Sequence, residues 1–268
     1  MSTTDHALAI EAAEAGAAVV RSQYGSSLTR FAKVGTDFAT TADIEAEKAI
    51  LDVLGAARPD DGLLGEESGR TGTGGNGRTW LVDPLCGTLN YSARTMLVSV
   101  NVALRTGTHL AVAASADPFS EEVFWTDGVA SYVRRAGTDQ RLVPSAESTL
   151  VDLNLDPPFP HRDAFLAARM LADDGFIAQF RPRVVSSTLA VAWVAAGRRA
   201  AYVTDGRDLR QSVHFAAGIA LCEAAGCVVT GIDGRPLHAG GEGLVAAADE
   251  QTHAALLALI RRQRTERD

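Results

Sequence analysis

Trp80-Leu81-Val82-Asp83-Pro84-Leu85-Cys86-Gly87-Thr88-Leu89-Asn90 is the stretch from which the rest of this 268-residue sequence is read. An apolar run ends in an acid and a proline, then breaks through Cys-Gly-Thr. That pattern describes a buried strand that carries functional side chains to its own end, before a turn or a helix start. Gly87 and Thr88 can present backbone N–H groups there, so a thiol at Cys86 would face a partial positive charge, which favours the reactive thiolate. Residue chemistry alone makes Cys86 a candidate nucleophile.

Outside this stretch the composition sets limits. The sequence is 46% hydrophobic and 22% charged, which describes a globular chain with a sizeable core. Its length fits one large domain or two closely packed lobes. A net charge of −8 argues against a nucleic-acid partner. Arg181, Arg183, Arg207 and Arg210 could still form a local basic patch in the C-terminal half. The three cysteines, Cys86, Cys222 and Cys227, lack metal-ligand spacing, and an odd count suits a reducing compartment. There is no apolar run near the ~20 residues of a membrane span and no signal-peptide pattern. The expected location is cytoplasmic, with no membrane partner.

Periodicity places the elements. Residues 5–23 read as an amphipathic helix stopped at Gly25. Thr40-Thr41-Ala42-Asp43 caps a second helix, in which Ile44, Lys48 and Leu51 recur at helical spacing. Asp43 can be read simply as a first-turn acid that favours the helix dipole. Leu63-Leu64-Gly65-Glu66-Glu67 ends a short strand in two carboxylates, and residues 71–77 form a glycine-rich linker. Leu97–Leu104, Leu110–Ser115 and Glu122–Trp125 read as strands. Asp117-Pro118 between the last two is a turn, or else it brings Asp117 to the sheet edge that holds Cys86. Residues 137–160, with four prolines, connect an N-terminal lobe (1–150) to a C-terminal lobe (151–268). In the latter, His161–Asp173 reads as helix, Ile177–Arg183 as extended chain and Leu189–Ala196 as helix. Ser212 caps a further helix that carries His214 in its first turn.

The order of these motifs resembles the inositol monophosphatase superfamily. The central stretch is similar to that family's Asp-Pro-x-Asp-Gly-Thr-x-Asn signature, with Cys86 where the second Asp belongs. Upstream lie Gly65-Glu66-Glu67 and Asp37-Phe38-Ala39-Thr40-Thr41-Ala42-Asp43. Downstream, Val213-His214-Phe215-Ala216-Ala217-Gly218 resembles the Trp-Asp-x-Ala-Ala-Gly element, with His214 at another metal-binding Asp. The resemblance implies a layered α/β (α+β sandwich) fold of the inositol monophosphatase/fructose-1,6-bisphosphatase type, and dimerisation is the family's habit. It also implies that Asp83 bridges two magnesium ions, that Glu66 holds the first, and that Asp43 and Thr88 polarise the attacking water.

Magnesium demands hard oxygen ligands in octahedral geometry. A thiol and an imidazole in place of two carboxylates remove charge and offer softer donors, so a second magnesium should bind poorly. Two substitutes at co-ligating positions should be near neighbours, and a Cys beside a His is the nucleophile–base pair of acyl transfer. On this reading Cys86 and His214 are catalytic, Asp117 (or else Asp83) orients the imidazole, and Gly87 and Thr88 receive an oxyanion. Glu66, Asp83 and Asp43 are then vestiges of a metal site, with no metal and no cofactor. The combination resembles the Dieckmann cyclases of tetramate and pyridone biosynthesis. That resemblance implies ring closure of a β-keto-acyl aminoacyl thioester delivered by an acyl or peptidyl carrier protein. Leu85, Leu89, Tyr91, Met96 and Phe215 would line a dry pocket. The alternatives are a metal-dependent phosphatase with altered ligands and a noncatalytic member.

Overall fold

Small side chains explain how the first two helices form one layer. The computed structural model describes residues 3–33 and 38–265, so Asp37 of the upstream motif lies outside the described residues. Helix α1 (Asp5–Gln23) buries Ala9, Ala12, Ala13, Gly16 and Ala17. After the paired strands β1 (Arg30–Ala32) and β2 (Phe38–Thr40), α2 (Thr41–Ala57) buries Ala42, Ala46, Ile50 and Leu54. A Cβ at Gly16 would fall 2.6 Å from Ile50 Cδ1 and 3.0 Å from Val100 Cγ1. The helices touch each other and the sheet there because residue 16 has no side chain.

The sheet beneath them comprises β3 (Gly62–Gly65), β4 (Gly69–Thr71) and β5 (Arg78–Cys86), followed after the short helix α3 (Thr88–Ser92) by β6 (Ser99–Thr106). It continues with β7 (His109–Asp117), β8 (Glu122–Thr126), β9 (Ser131–Arg135) and β10 (Thr138–Arg141). Its order is β10-β9-β8-β7-β6-β5-β3-β4. Only the β3–β5 pair is parallel; the rest is an antiparallel meander. Trp80, Val82, Val100, Val102 and Ala114 face the helices and close one core.

These elements form one compact unit that runs to Arg141 and also takes in Ser187–Leu189 and Val213–Leu221. The expected division at residue 150 is therefore corrected to Arg141. Strand β10 still pairs with β9, whereas β11 (Leu150–Leu153) belongs to a second sheet. That sheet adds β12 (Arg181–Val184), β13 (Ala201–Thr204), β14 (Val228–Thr230) and β15 (Leu244–Ala247), in the order β12-β11-β13-β15-β14. The remaining helices in chain order are α4 (Ala167–Met170), α5 (Asp174–Gln179), α6 (Leu189–Ala195), α7 (Ala216–Ala225, whose first residues belong to the first unit) and α8 (Glu250–Thr265). The second unit has its own core of Val151, Phe165, Phe176, Val203, Val245 and Leu256.

Two expectations in the second unit change. The stretch His161–Asp173 is helical only over α4; turns precede it, and there His161 gives its backbone N–H to Asp205 Oδ2 (3.0 Å). Asp173 then accepts from Phe176 N (2.9 Å) and caps α5 where extended chain was expected. The layered α/β architecture stands. No helix among the described residues is long and apolar enough to cross a membrane.

Candidate active site

Strand β5 lies between β3 and β6, and its pairing with β6 shifts register between Asp83 and Cys86. Pro84 lacks an N–H, and Asp83 Oδ1 accepts from Leu85 N (3.1 Å), so the strand bends over its own acid. Gly87 follows with φ 101°, a left-handed conformation that a side chain would resist, and starts α3. On the other side, Glu66 N donates to Val82 O (3.0 Å), which extends the parallel β3–β5 pairing by one residue and sets Glu66 beside Asp83.

Asp83 is completely buried and is the hub of the site. Its Oδ2 lies 2.8 Å from His214 Nδ1, and the side chains of Glu66 and Cys86 also hydrogen-bond to it. His214 sits in the turn two residues ahead of α7, not in the helix's first turn. One ligand atom each from Asp83, Cys86 and His214 lie within 4.8 Å of one another. The two substituted positions are neighbours, as expected. Asp117, the first choice to orient the imidazole, is corrected to Asp83. Asp117 spends Oδ1 on the backbone of Phe119 (2.9 Å) and Ser120 (3.2 Å), as a turn acid does.

Electrostatics follow from this crowding. Burial pushes the Asp83 carboxyl up, but the His214 imidazole outweighs it and holds the carboxyl below the ordinary value. Burial works against a charged His214, yet Asp83 and Glu66 push it up to about 9, so the two form an ion pair at neutral pH. The His214 side chain is 41% exposed, and water screens the pair on that side. Burial and the Asp83 charge push Glu66 up to about 8. The same two causes push the Cys86 thiol well above its ordinary value. Both effects favour the protonated thiol, which opposes the activated nucleophile that acyl transfer needs.

A second pair lies beside the first. Thr40 donates from N (2.7 Å) and Oγ1 (2.5 Å) to Asp43 Oδ2, which closes the capping box of α2. The other oxygen, Oδ1, accepts from Thr88 Oγ1 (2.8 Å). Asp43 is fully buried, and burial raises its carboxyl despite these donors. Asp43 is thus tied to Thr88, beyond its role as a first-turn acid.

Four contributors escaped the sequence. Lys33 Nζ lies 2.7 Å from both Glu66 Oε1 and Glu67 Oε1. Thr188 donates from N (3.3 Å) and Oγ1 (3.0 Å) to Cys86 Sγ. Asn101 Nδ2 donates to Thr188 Oγ1 (2.9 Å), and Ser115 Oγ donates to Asn101 Oδ1 (2.8 Å). An amide in the otherwise apolar run of β6 was the one visible signal of this string. The expected dry pocket does not assemble. Leu85 and Tyr91 are core residues, while Leu89 and Met96 are 64% and 59% exposed.

Residues 2–265 match the model of the inositol monophosphatase family. The chain belongs to the inositol monophosphatase family. An inositol-1-monophosphatase of Caulobacter vibrioides is 31% identical over 94% of this chain and 99% of its own. The Nus factor SuhB of Pasteurella multocida is 30% identical over 90% of each chain. Among solved structures, the extragenic suppressor protein suhB of Bartonella henselae superposes with a TM-score of 0.82 at 25% identity, covering 94% of this chain and 96% of that one.

These relatives overturn the Dieckmann cyclase reading. Proteins matched over nine-tenths of the chain or more are named for inositol monophosphate hydrolysis or as SuhB, and the raised Cys86 thiol agrees with that. The carrier-protein partner rests on cyclisation alone. Of the four arginines of the expected basic patch, Arg210 is paired with Glu223, and Arg207 lies 3.9 Å from Glu242. The family's two magnesium ions do not fit this donor set either, since sulfur and imidazole nitrogen stand where hard carboxylate oxygens are needed.

Proposed function

We propose that this protein hydrolyses a phosphate monoester, with Thr88 and Asp43 activating the attacking water. The observation that carries the reading is the 2.8 Å hydrogen bond from Thr88 Oγ1 to Asp43 Oδ1, beside the Asp83–Cys86–His214 group. Thr88 gives its proton to Asp43 and keeps lone pairs free to accept a proton from water. Asp43 is buried and its carboxyl is raised, so it takes up a proton more readily than a surface acid. The other Asp43 oxygen is fixed by Thr40, so the carboxylate does not rotate away.

Asp83, Asp43 and Glu67 would repel a phosphate dianion, and Lys33 and His214 offset only part of that repulsion. A divalent cation held by Asp83, Cys86 and His214 would supply the missing positive charge and polarise the phosphoryl oxygens. The names of the relatives make a phosphorylated polyol such as inositol 1-phosphate the first substrate to try. The test is phosphate release across a panel of divalent cations, for the wild type and Asp43→Asn. General-base loss should lower kcat by about 10²–10⁴-fold with the circular dichroism unchanged. An unchanged kcat in Asp43→Asn, or no release with any cation, would defeat the proposal.

A further inference from the structure

We infer that Asp83, Cys86 and His214 form a site for one thiophilic divalent cation of the zinc class, and that Thr188 is the positioning residue for its sulfur ligand. The inference deepens the phosphatase reading and rests on it for its catalytic use.

The first argument is the donor set. One carboxylate oxygen, one sulfur and one imidazole nitrogen converge within 4.8 Å. Zinc takes such ligands tetrahedrally at about 2.0–2.3 Å, which puts ligand atoms roughly 3.3–3.8 Å apart, so a modest contraction closes the group on an ion. Sulfur and imidazole favour zinc or cobalt over magnesium. The access is right as well, for Asp83 is fully buried while His214 is 41% exposed. Three protein ligands with one open side is the arrangement of catalytic zinc sites. On binding, the Cys86 S–H bond and one N–H bond of the protonated His214 would break and both protons would leave to solvent, so that a thiolate and a neutral imidazole hold the ion.

The second argument is independent of the ligands. Ser115, Asn101 and Thr188 are all buried, and their hydrogen bonds run in one direction, toward the sulfur. Because Asn101 Nδ2 donates to Thr188 Oγ1, the Thr188 proton is left to point at Cys86 Sγ, alongside the Thr188 backbone N–H. Two donors aimed at one sulfur stabilise a thiolate ligand, and outer partners of this kind orient ligands in metal sites. Lys33 accounts for the number of ions. It holds Glu66 Oε1 and Glu67 Oε1 at 2.7 Å, so an ammonium already occupies the carboxylates that would serve a second cation.

The experiment uses reduced, chelator-stripped full-length protein, titrated with zinc and magnesium by calorimetry and with cobalt(II) by absorption spectroscopy. The expected result is one zinc or cobalt per chain, a sulfur-to-cobalt band in the near ultraviolet, and no displacement of zinc by equimolar magnesium. Cys86→Ser should lose the band while keeping Cys222 and Cys227 in place. Thr188→Val should keep the stoichiometry and weaken affinity about 10–100-fold. Cobalt bound without a sulfur band, a band that survives Cys86→Ser, or magnesium competing equally would overturn the site. None of these readouts needs a substrate. A sulfur band without phosphate release would defeat only the phosphatase reading; release without the band would defeat only this one.

Discussion

Replacing Gly65 by alanine should destabilise the protein by about 3 kcal/mol, by displacing the Glu47 carboxylate that holds the turn of Glu66 and Glu67. Gly65 does not adopt a left-handed conformation, so alanine meets no backbone penalty, only a steric one. Its Cβ would lie 2.5 Å from Glu47 Cδ and Oε2 and 2.6 Å from Oε1. Glu47 is 3% exposed, and its two oxygens accept from Glu67 N and Ser68 N, each at 2.8 Å. Those bonds hold the turn that presents Glu66 and Glu67. Displacing the carboxylate breaks both. Hydrogen bonds to a charged group contribute about 1.5–3 kcal/mol each, so the pair sets a range of roughly 3–6 kcal/mol, of which water returns a part. The assay is urea unfolding of Gly65→Ala in two backgrounds, wild type and Glu47→Ala. With Glu47 already truncated the clash disappears, and alanine should be neutral or should stabilise by roughly 0.4–1 kcal/mol. A loss below about 1 kcal/mol in the wild-type background, or an equal loss in both, would refute the reasoning.

Three further outcomes can be checked. Cys86→Asp combined with His214→Asp restores oxygen donors and should raise magnesium affinity at least about tenfold by calorimetry; an unchanged affinity would place magnesium elsewhere. Tyr91→Phe removes a buried hydroxyl that donates to Val20 O at 2.6 Å, and urea unfolding should show a loss of about 1–2 kcal/mol. His161 lies between Asp205 (2.6 Å) and Glu242 (2.7 Å); burial opposes its charge, but these carboxylates raise its pKa above 6.5. Its folded-state pKa exceeds the unfolded one, so its contribution is complete below about pH 6.5 and fades as pH rises through the higher folded value. The urea midpoint of the second unit should fall over that window, and His161→Gln should flatten the profile; parallel profiles would count against the assignment.

Local signals carried most of the first unit. The cap at Thr40–Asp43, the helix over residues 5–23 and the apolar run of β5 each depend on neighbours in sequence, and each formed as read. Pairings across distance were not legible. Asp117 and Asp83 both end strands as acids, and only the chain path over 131 residues brings His214 to Asp83. Thr188 reads as a helix start, because nothing near it in sequence mentions the sulfur 102 positions earlier. In the second unit, the composition of His161–Asp173 is helical, yet the chain forms turns ahead of α4, where His161 is tied to Asp205. The cyclase reading failed for a related reason. Cys86 and His214 are neighbours as the resemblance implies, but no local signal shows that Asp83 lies fully buried against both, where its charge favours the protonated thiol.

The noncontiguous make-up of the first unit has a consequence for how the protein is made. Asp83 and Cys86 leave the ribosome early, while His214 follows 131 residues after Asp83. At ordinary translation rates of about 5–20 residues per second, that gap is roughly 7–26 s. The nascent sheet can already be paired by then, with its thiol waiting for both Thr188 and the imidazole. Ligand assembly is thus a late step of biogenesis, and an early-terminated product would keep the architecture of the sheet while lacking the means to select an ion.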